Sequence, residues 1–523
     1  MPADGTLEWT KLIGGNNADY INAMTTGLDG SIYVGGETNS STIPGVNGQT
    51  NAGGYDGFIA KYSPDGTLQW TKLIGGNNSE YITAMTTGLD GSIYMGGVTN
   101  SSTIPGVNGQ TNAGVYDGFI AKYSPDGTLQ WTKLIGGTDV DYIRAMTTGL
   151  DGSIYVGGRT NSSTITGVNG QTNAGSADAF LAKYSPDGTL QWTKLIGGNN
   201  ADTINAMTTG SDGSIYVGGG TNSSTITGVN GQTNAGDYDG FIAKYSPDGT
   251  LQWTKLIGGT GVDYILAMTT GSDGSIYVGG RTNSSTITGV NGQTNAGSAD
   301  AFLAKYSPDG TLQWTKLIGG TGVDTIYAMT TGSDGSIYVG GRTNSSTING
   351  VNGQTNAGSA DAFLAKYSPD GTLQWTKLIG GNNADTINAM TTGSDGSIYG
   401  GGYTYSSTIT GVNGQTNAGS PDAFLAKYQV AMYQESQISN LSFSYPRLME
   451  FSTKKSNLFK PREYNKTPED SIHYHATKKM PDGIVLNPRS GKISGQPTSQ
   501  FSDITMSVWA NNYRKKITLS CSE

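Results

Sequence analysis

Carboxylates recur through the first 428 residues at a fixed interval: Asp29, Asp56 and Asp65 each head a series that returns every 61 residues. Two carboxylates can share acid–base hydrolysis only when their environments push their pKa values apart. Identical copies produce identical surroundings, which argues against a single carboxylate-based hydrolase centre. The acids that break the repeat, Glu37, Glu80, Asp139 and Asp237, have no spacing that pairs them. Asp29 and Asp65 stand in Asp-Gly turns. Asp56 lacks that explanation, and its readings are a brace for the strand it opens or, with loop carbonyls, a calcium ligand. Residues 1–428 hold no His and no Cys, so neither a nucleophile triad nor a zinc site can be built there. Gly491-Lys492-Ile493 lacks the first Gly and the Ser/Thr of a phosphate loop. No catalytic residue, metal or cofactor is expected, calcium being the alternative. The Trp9-type residues read as strand packing or as sugar platforms. The amides of Gly45–Gly53 read as Asx turns or as sugar-binding groups.

These residues belong to a repeat. Gly-Thr-Leu-Glu/Gln-Trp-Thr-Lys-Leu-Ile-Gly-Gly recurs with its tryptophan at 9, 70, 131, 192, 253, 314 and 375. The 81 glycines are about twice the usual share of roughly 7%, and charged residues are only 14%. The repeats reach Tyr428. The tail beyond carries 13 Lys+Arg against 8 Asp+Glu, leaving 18 against 32 in the repeats. An acidic repeat region is a poor partner for nucleic acid. No apolar run reaches the length of a membrane span, and no signal-peptide core opens the chain. Met1–Asp4 stands where later copies have Ser-Pro-Asp, as expected of an excerpt from a longer chain.

Each unit holds four β-prone runs: 20–26, 31–37, 58–62 and 67–74. Asp29-Gly30 and Asp65-Gly66 read as two-residue type I′ hairpin turns, and the polar stretch 38–54 as a surface loop. Four antiparallel strands per repeat fit a propeller blade; hairpins exclude a parallel β-helix. The chain begins in the fourth strand of a unit and the last repeat stops after its third. Seven complete sheets therefore require the N-terminal strand to finish the last one, which hides the edges of an open array. The expected fold is all-β: a closed seven-bladed β-propeller over 1–428, a linker at 429–440, and a small C-terminal β-sandwich-like domain at 441–523.

Trp-Thr-Lys-Leu-Ile-Gly-Gly, Asp-Gly-Ser-Ile-Tyr-Val-Gly-Gly and Asp-Gly/Ala-Phe-Ile/Leu-Ala-Lys-Tyr-Ser-Pro-Asp-Gly resemble the bacterial SBBP-type β-propeller repeats. That resemblance implies an extracellular or cell-surface setting and no shared catalytic residues. Met480–Pro497 resembles the signature of immunoglobulin-like or cadherin-like modules of surface proteins, whole or truncated here; residues 429–468 fit it poorly.

The seven copies differ at few places. Position 22 reads Asn22, Thr83, Arg144, Asn205, Leu266, Tyr327, Asn388; position 37 reads Glu37, Val98, Arg159, Gly220, Arg281, Arg342, Tyr403. Tyr20 alternates with Thr, and Tyr405 replaces an Asn. A two-residue turn at Asp29-Gly30 would place 22 directly across from 37. Both lie at the end bearing the loops between strands 4 and 1 and between strands 2 and 3, while the Asp-Gly face is expected to hardly change. Drift at unconstrained rims and diversification of a contact surface both fit. Tyr and Arg are the residues enriched at contact surfaces. Tyr20, Asn22, Glu37, Arg144, Arg159, Leu266, Arg281, Tyr327, Arg342, Tyr403 and Tyr405 are therefore the candidate binding residues. The function expected is a non-catalytic surface scaffold that recognises a protein or self-assembles, with a lectin-like multivalent glycan binder as the alternative. Sequons at Asn39, Asn100, Asn161, Asn222, Asn283, Asn344, Asn440 and Asn465 become glycosylation sites only in a secreted eukaryotic protein.

Overall fold

Seven four-stranded antiparallel sheets follow one another along the repeats, each built as expected from two hairpins joined by the long polar loop. The computed structural model describes residues 4–430, apart from 413, and beyond them only backbone strands between 442 and 522. In the first blade β2 (Asp19–Thr26), β3 (Ile32–Thr38), β4 (Asp56–Tyr62) and β5 (Leu68–Ile74) lie side by side in chain order. β1 (Thr6–Ile13) is the outer strand of the seventh blade: it pairs antiparallel with Asp422–Gln429 from Thr6↔Gln429 to Ile13↔Ala423. The ring is closed by that strand. A Glu8–Lys427 ion pair at 2.9 Å and the contacts of Asp4 with Lys366 and the Trp375 indole fasten it.

The turns are tighter devices than the type I′ reading. Gly30 donates to the Gly27 carbonyl and Gly27 to that of Ser31. Gly30 alone has positive φ, +82°, whereas Asp29 does not. This is a three-residue loop, a type I turn closed by a left-handed glycine. Asp29 serves it by accepting the Ser31 N–H at 3.0 Å. Its other oxygen pairs with Lys61 at 2.8 Å. The Lys61 ammonium also lies 5.3 Å from the Tyr33 ring centre. Lys61 and the Tyr33 hydroxyl both reach the Pro125 carbonyl of the next blade.

A sheet with two apolar faces needs a neighbour on each side. The hydrophobic clusters accordingly sit between consecutive blades: Ala23, Tyr33, Ile59 and Ile74 of the first meet Ile82, Met85, Ile93 and Phe119 of the second. Around the channel the innermost strands are stitched by threonine pairs. Thr25–Thr87, Thr86–Thr148, Thr147–Thr209, Thr208–Thr270, Thr269–Thr331, Thr330–Thr392 and Thr26–Thr391 make seven hydroxyl contacts of 2.9–3.5 Å. The 38–54 loop folds back on the outermost strand. Thr71 donates its hydroxyl to the Pro44 carbonyl and its N–H to that of Gly45, and Gln49 brackets the Leu73 backbone. The extra length of each repeat thus covers the edge that a four-stranded blade would leave open. Trp9 packs edge-on against Tyr399, as Trp70 does against Tyr33, in the packing role.

Ala431–Glu523 forms a separate unit. It contains the antiparallel pair Ile484–Leu486 with Ile493–Gly495, the strand, turn and strand expected there, and the hairpin Phe501–Ala510 with Tyr513–Ser522. These strands do not by themselves amount to an immunoglobulin-like sandwich. Among the described residues no helix is long and apolar enough to cross a membrane.

A chain beginning at Gly14 would leave Asp422–Gln429 with a bare edge. Its melting temperature is expected to fall and sedimentation to show concentration-dependent association, both reversed by adding Thr6–Ile13 as a peptide.

Candidate functional site

The acids that recur at each blade junction brace the loops through one oxygen, while the Oδ1 of Asp56 and of several equivalents is buried without a hydrogen-bond partner. Asp19 accepts the Gly15 N–H at 2.8 Å and the Ser40 hydroxyl at 2.9 Å, with Thr38 on its other oxygen. In the second blade Glu80 does the same for Gly76 and Thr99. Asp56 accepts the Ala52 N–H at 2.9 Å, the bracing role; burial raises its pKa against the pull of that N–H, and neighbouring Glu80 adds to the rise. Among the described residues no group of three or more His, Cys, Asp or Glu is placed to hold a metal. The loop amides are also occupied: Asn51 donates to the Thr38 carbonyl and accepts the Gly53 N–H, and Gln49 holds Leu73. Sequon residues Asn39, Asn100, Asn161, Asn222, Asn283 and Asn344 follow the second strands of their blades at half-buried or exposed positions; Asn440 and Asn465 lie outside the described residues.

The variable residues do gather around one mouth of the channel, with a correction to their pairing. Tyr20, not Asn22, stands opposite Glu37, because Asn22 is a bulged residue between Ile21↔Gly36 and Ala23↔Gly35. All seven blades share the bulge. Gly36 is required there, since a Cβ would fall 1.7 Å from the Tyr20 carbonyl oxygen. The bulge turns position 22 towards the channel and the next blade: Asn22 donates to the Ile82 carbonyl at 3.2 Å, and Asn205 to that of Ile265 at 3.1 Å. Asn22, Thr83 and Tyr327 line the channel mouth above a wall of alanines and methionines.

Glu37 is buried, with Asn22 as its hydrogen-bond donor, and burial pushes its pKa up to about 8. Tyr20 packs edge-on to Tyr403 at 5.0 Å, and Tyr403 to Tyr405 at 5.8 Å, so the added tyrosines form a patch across the ring closure. Burial, then the Tyr405 hydroxyl, raises the pKa of Tyr20. Arg342 is half-buried with no hydrogen-bond partner for its Nε.

Arg144, Arg159 and Leu266 come together. With Asn205, Tyr238 and Tyr264 they line a cavity of about 240 Å³ where the third, fourth and fifth blades meet. Arg144 is exposed, its guanidinium 5.5 Å from the centre of the Tyr142 ring. Desolvation of its guanidinium by the packed neighbours, then the Arg159 charge, lowers its pKa. Arg159 donates to Asn161 at 3.1 Å. Arg281 and Arg159 both act electrostatically on Tyr264.

Tyr238 and Tyr264 were not among the candidates, although the copies carry a signal for them. Position 55 of one copy faces position 20 of the next: Tyr55 meets Tyr81 at 5.6 Å, Tyr116 meets Tyr142 at 6.0 Å, and Tyr238 meets Tyr264 at 5.0 Å. Where position 55 is Ala177, Ala299 or Ala360, its partner is Thr203, Thr325 or Thr386. A second correction concerns the Asp-Gly face. Position 28 is Leu28, Leu89 and Leu150, 71%, 56% and 62% exposed, in the first three blades, and Ser211, Ser272, Ser333 and Ser394 in the rest.

The family model described as SBBP: Beta-propeller repeat matches residues 8–44, 130–164 and 313–348. These three segments of the ring are similar to SBBP repeats. Regulatory protein FlaEY of Caulobacter vibrioides is 25% identical over 396 residues, 69% of this chain and 40% of that protein. The uncharacterized WD repeat-containing protein L264 of Acanthamoeba polyphaga mimivirus is 24% identical over 484 residues, 78% of this chain and 32% of that protein. The chain thus spans less than half the length of either relative. A puromycin hydrolase crystal structure is 12% identical with a TM-score of 0.41, over 88% of this chain and 59% of that one, a likeness that carries no argument about activity.

Glu37 makes the ring sensitive to pH. Its carboxyl ionises near 4.5 when unfolded and about 8 when folded. Folded and unfolded chains are both protonated there below about pH 4.5, so nothing is lost. Between about 4.5 and 8 only the unfolded chain releases the proton, and stability falls as pH rises, by a few kcal/mol in all. Glu37→Gln is expected to leave the melting temperature unchanged at pH 4 and to raise it progressively up to about pH 8, read by thermal unfolding across that range.

Proposed function

We propose that this chain is a non-catalytic recognition scaffold whose propeller uses the face carrying the 4–1 and 2–3 loops to engage a protein partner. The observation that carries the reading is the convergence of Arg144, Arg159, Leu266, Tyr238 and Tyr264 on one cavity at the channel mouth of an otherwise sevenfold ring. Variable Arg and Tyr side chains around a recess are the composition of a contact centre. The recurrent carboxylates that could serve hydrolysis accept loop N–H groups and hydroxyls instead, which supports binding over catalysis. The description of FlaEY as a regulatory protein is consistent with partner binding. The extracellular or cell-surface setting rests on the resemblance to SBBP repeats of surface proteins, and the onward link through an immunoglobulin-like module on the motif in Met480–Pro497. Multivalent sugar binding has less support, because the Gln49 and Asn51 amides are held by backbone groups.

A photo-crosslinking residue placed at Tyr327 is expected to capture the partner, which can be a second copy of the chain, whereas the same group at Leu89 captures none. Adducts confined to Leu89 would move recognition to the Asp-Gly face.

A further inference from the structure

The cavity at the channel mouth lies beside a seam where two tyrosines are replaced by smaller residues. Between the second and third blades the seam is filled by Tyr116 and Tyr142, and between the fourth and fifth by Tyr238 and Tyr264. Between the third and fourth, Ala177 and Thr203 replace the tyrosines. The same small pair recurs at Ala299 with Thr325 and at Ala360 with Thr386, but those blades carry Arg342 and Tyr403 at position 37, where the fourth has Gly220. The Tyr264 ring lies over Gly220, so close that a Cβ there would fall 2.4 Å from its Cδ1.

Two arginines line this space without an ion pair. The ion pairs among the described residues all involve lysine, none of them Arg144 or Arg159. Asp202, the acid among the lining residues, is 1% exposed, and its Oδ2 accepts the Gly198 N–H and the Ser223 hydroxyl, both at 2.9 Å. The Asn205 amide donates to the Ile265 carbonyl. The cavity therefore offers cationic donors on one side and aromatic and aliphatic surface on the other. At about 240 Å³ it falls below the range of roughly 300–1,000 Å³ usual for whole small-molecule sites. It suits one group projecting from a larger body.

We propose that this pocket between the third, fourth and fifth blades takes a carboxylate carried on an acidic side chain of the partner, with Arg144 and Arg159 as its donors and the stem of that side chain against Tyr238, Tyr264 and Leu266. Arginine suits this role because its planar donors match a carboxylate in pairs. The inference rests on the recognition reading above and adds the chemistry of what enters.

The test uses the full chain and substitutions that sister blades already carry at the same positions, so that the ring tolerates them: Arg144→Asn, Arg159→Val and Gly220→Val. N-acetyl-glutamate amide is titrated at low salt against N-acetyl-glutamine amide and inorganic phosphate, followed on the arginine side-chain NMR resonances. The carboxylate is expected to shift Arg144 and Arg159, and to bind at least tenfold tighter than the glutamine compound. Each arginine substitution should weaken it about tenfold. Gly220→Val, which leaves both charges but displaces Tyr264, should weaken it as well. Equal binding of the two amides, tighter binding of phosphate, or unchanged binding in the Arg144→Asn/Arg159→Val chain would overturn the proposal. Failure here with crosslinks still formed at Tyr327 removes the pocket's role alone. Crosslinks confined to Leu89 remove the recognition face, whatever the amides do.

Discussion

Everything in the ring depends on covering both faces of every sheet. Each blade buries Tyr, Phe and Ile on two sides, so no blade is stable by itself and no stack can end without exposing an apolar face. Closure through β1 supplies the missing strand of the last blade and, with it, the missing neighbours. The channel threonines hold the innermost strands at a common height. Burial of one carboxylate per side of each seam then has a purpose: Asp19 and Asp56 types fix the loops at one mouth.

A ring of near-identical units can acquire a single site only where the units differ. The differences collect at positions 20, 22, 37 and 55 because these meet around the seams at the mouth, where a side chain can change without disturbing the apolar sheet faces. Most combinations fill the space: tyrosine with tyrosine, Glu37 with Asn22, Tyr403 with Tyr20. At the fourth blade Ala177 and Thr203 fill less of it, Tyr264 lies over Gly220, and a cavity remains beside two arginines, so symmetry is broken there by absence of volume as much as by presence of charge.

The architecture was legible because period, hairpin signals and the phase of the chain ends all depend on backbone rules that seven copies state repeatedly. What was not legible turned on single residues. Asp-Gly signalled a hairpin, but the choice between a type I′ turn and a type I turn with a left-handed Gly30 depends on the sign of φ at Asp29, which the dipeptide does not carry. That one-residue difference, together with the bulge at Asn22, moved Tyr20 opposite Glu37. The burial of Glu37 depends on its neighbours across the seam, invisible from its own repeat. The matching of Tyr55 with Tyr81 and of Ala177 with Thr203 was present in the sequence, but only in a comparison of one copy with the next. Leu28, Leu89 and Leu150 were readable too, and were overshadowed by the constancy of the Asp and Gly beside them.

The central claim is that a sevenfold frame holds one recognition locus rather than seven. The channel methionines, Met24, Met85, Met146, Met207, Met268, Met329 and Met390, place one reporter in each blade. With their methyl groups isotopically labelled, addition of the captured partner is predicted to shift Met146, Met207 and Met268, in the blades that form the cavity, together with Met329 beside Tyr327, and to leave Met24, Met85 and Met390 in place. Equal shifts at all seven methyl groups would contradict it.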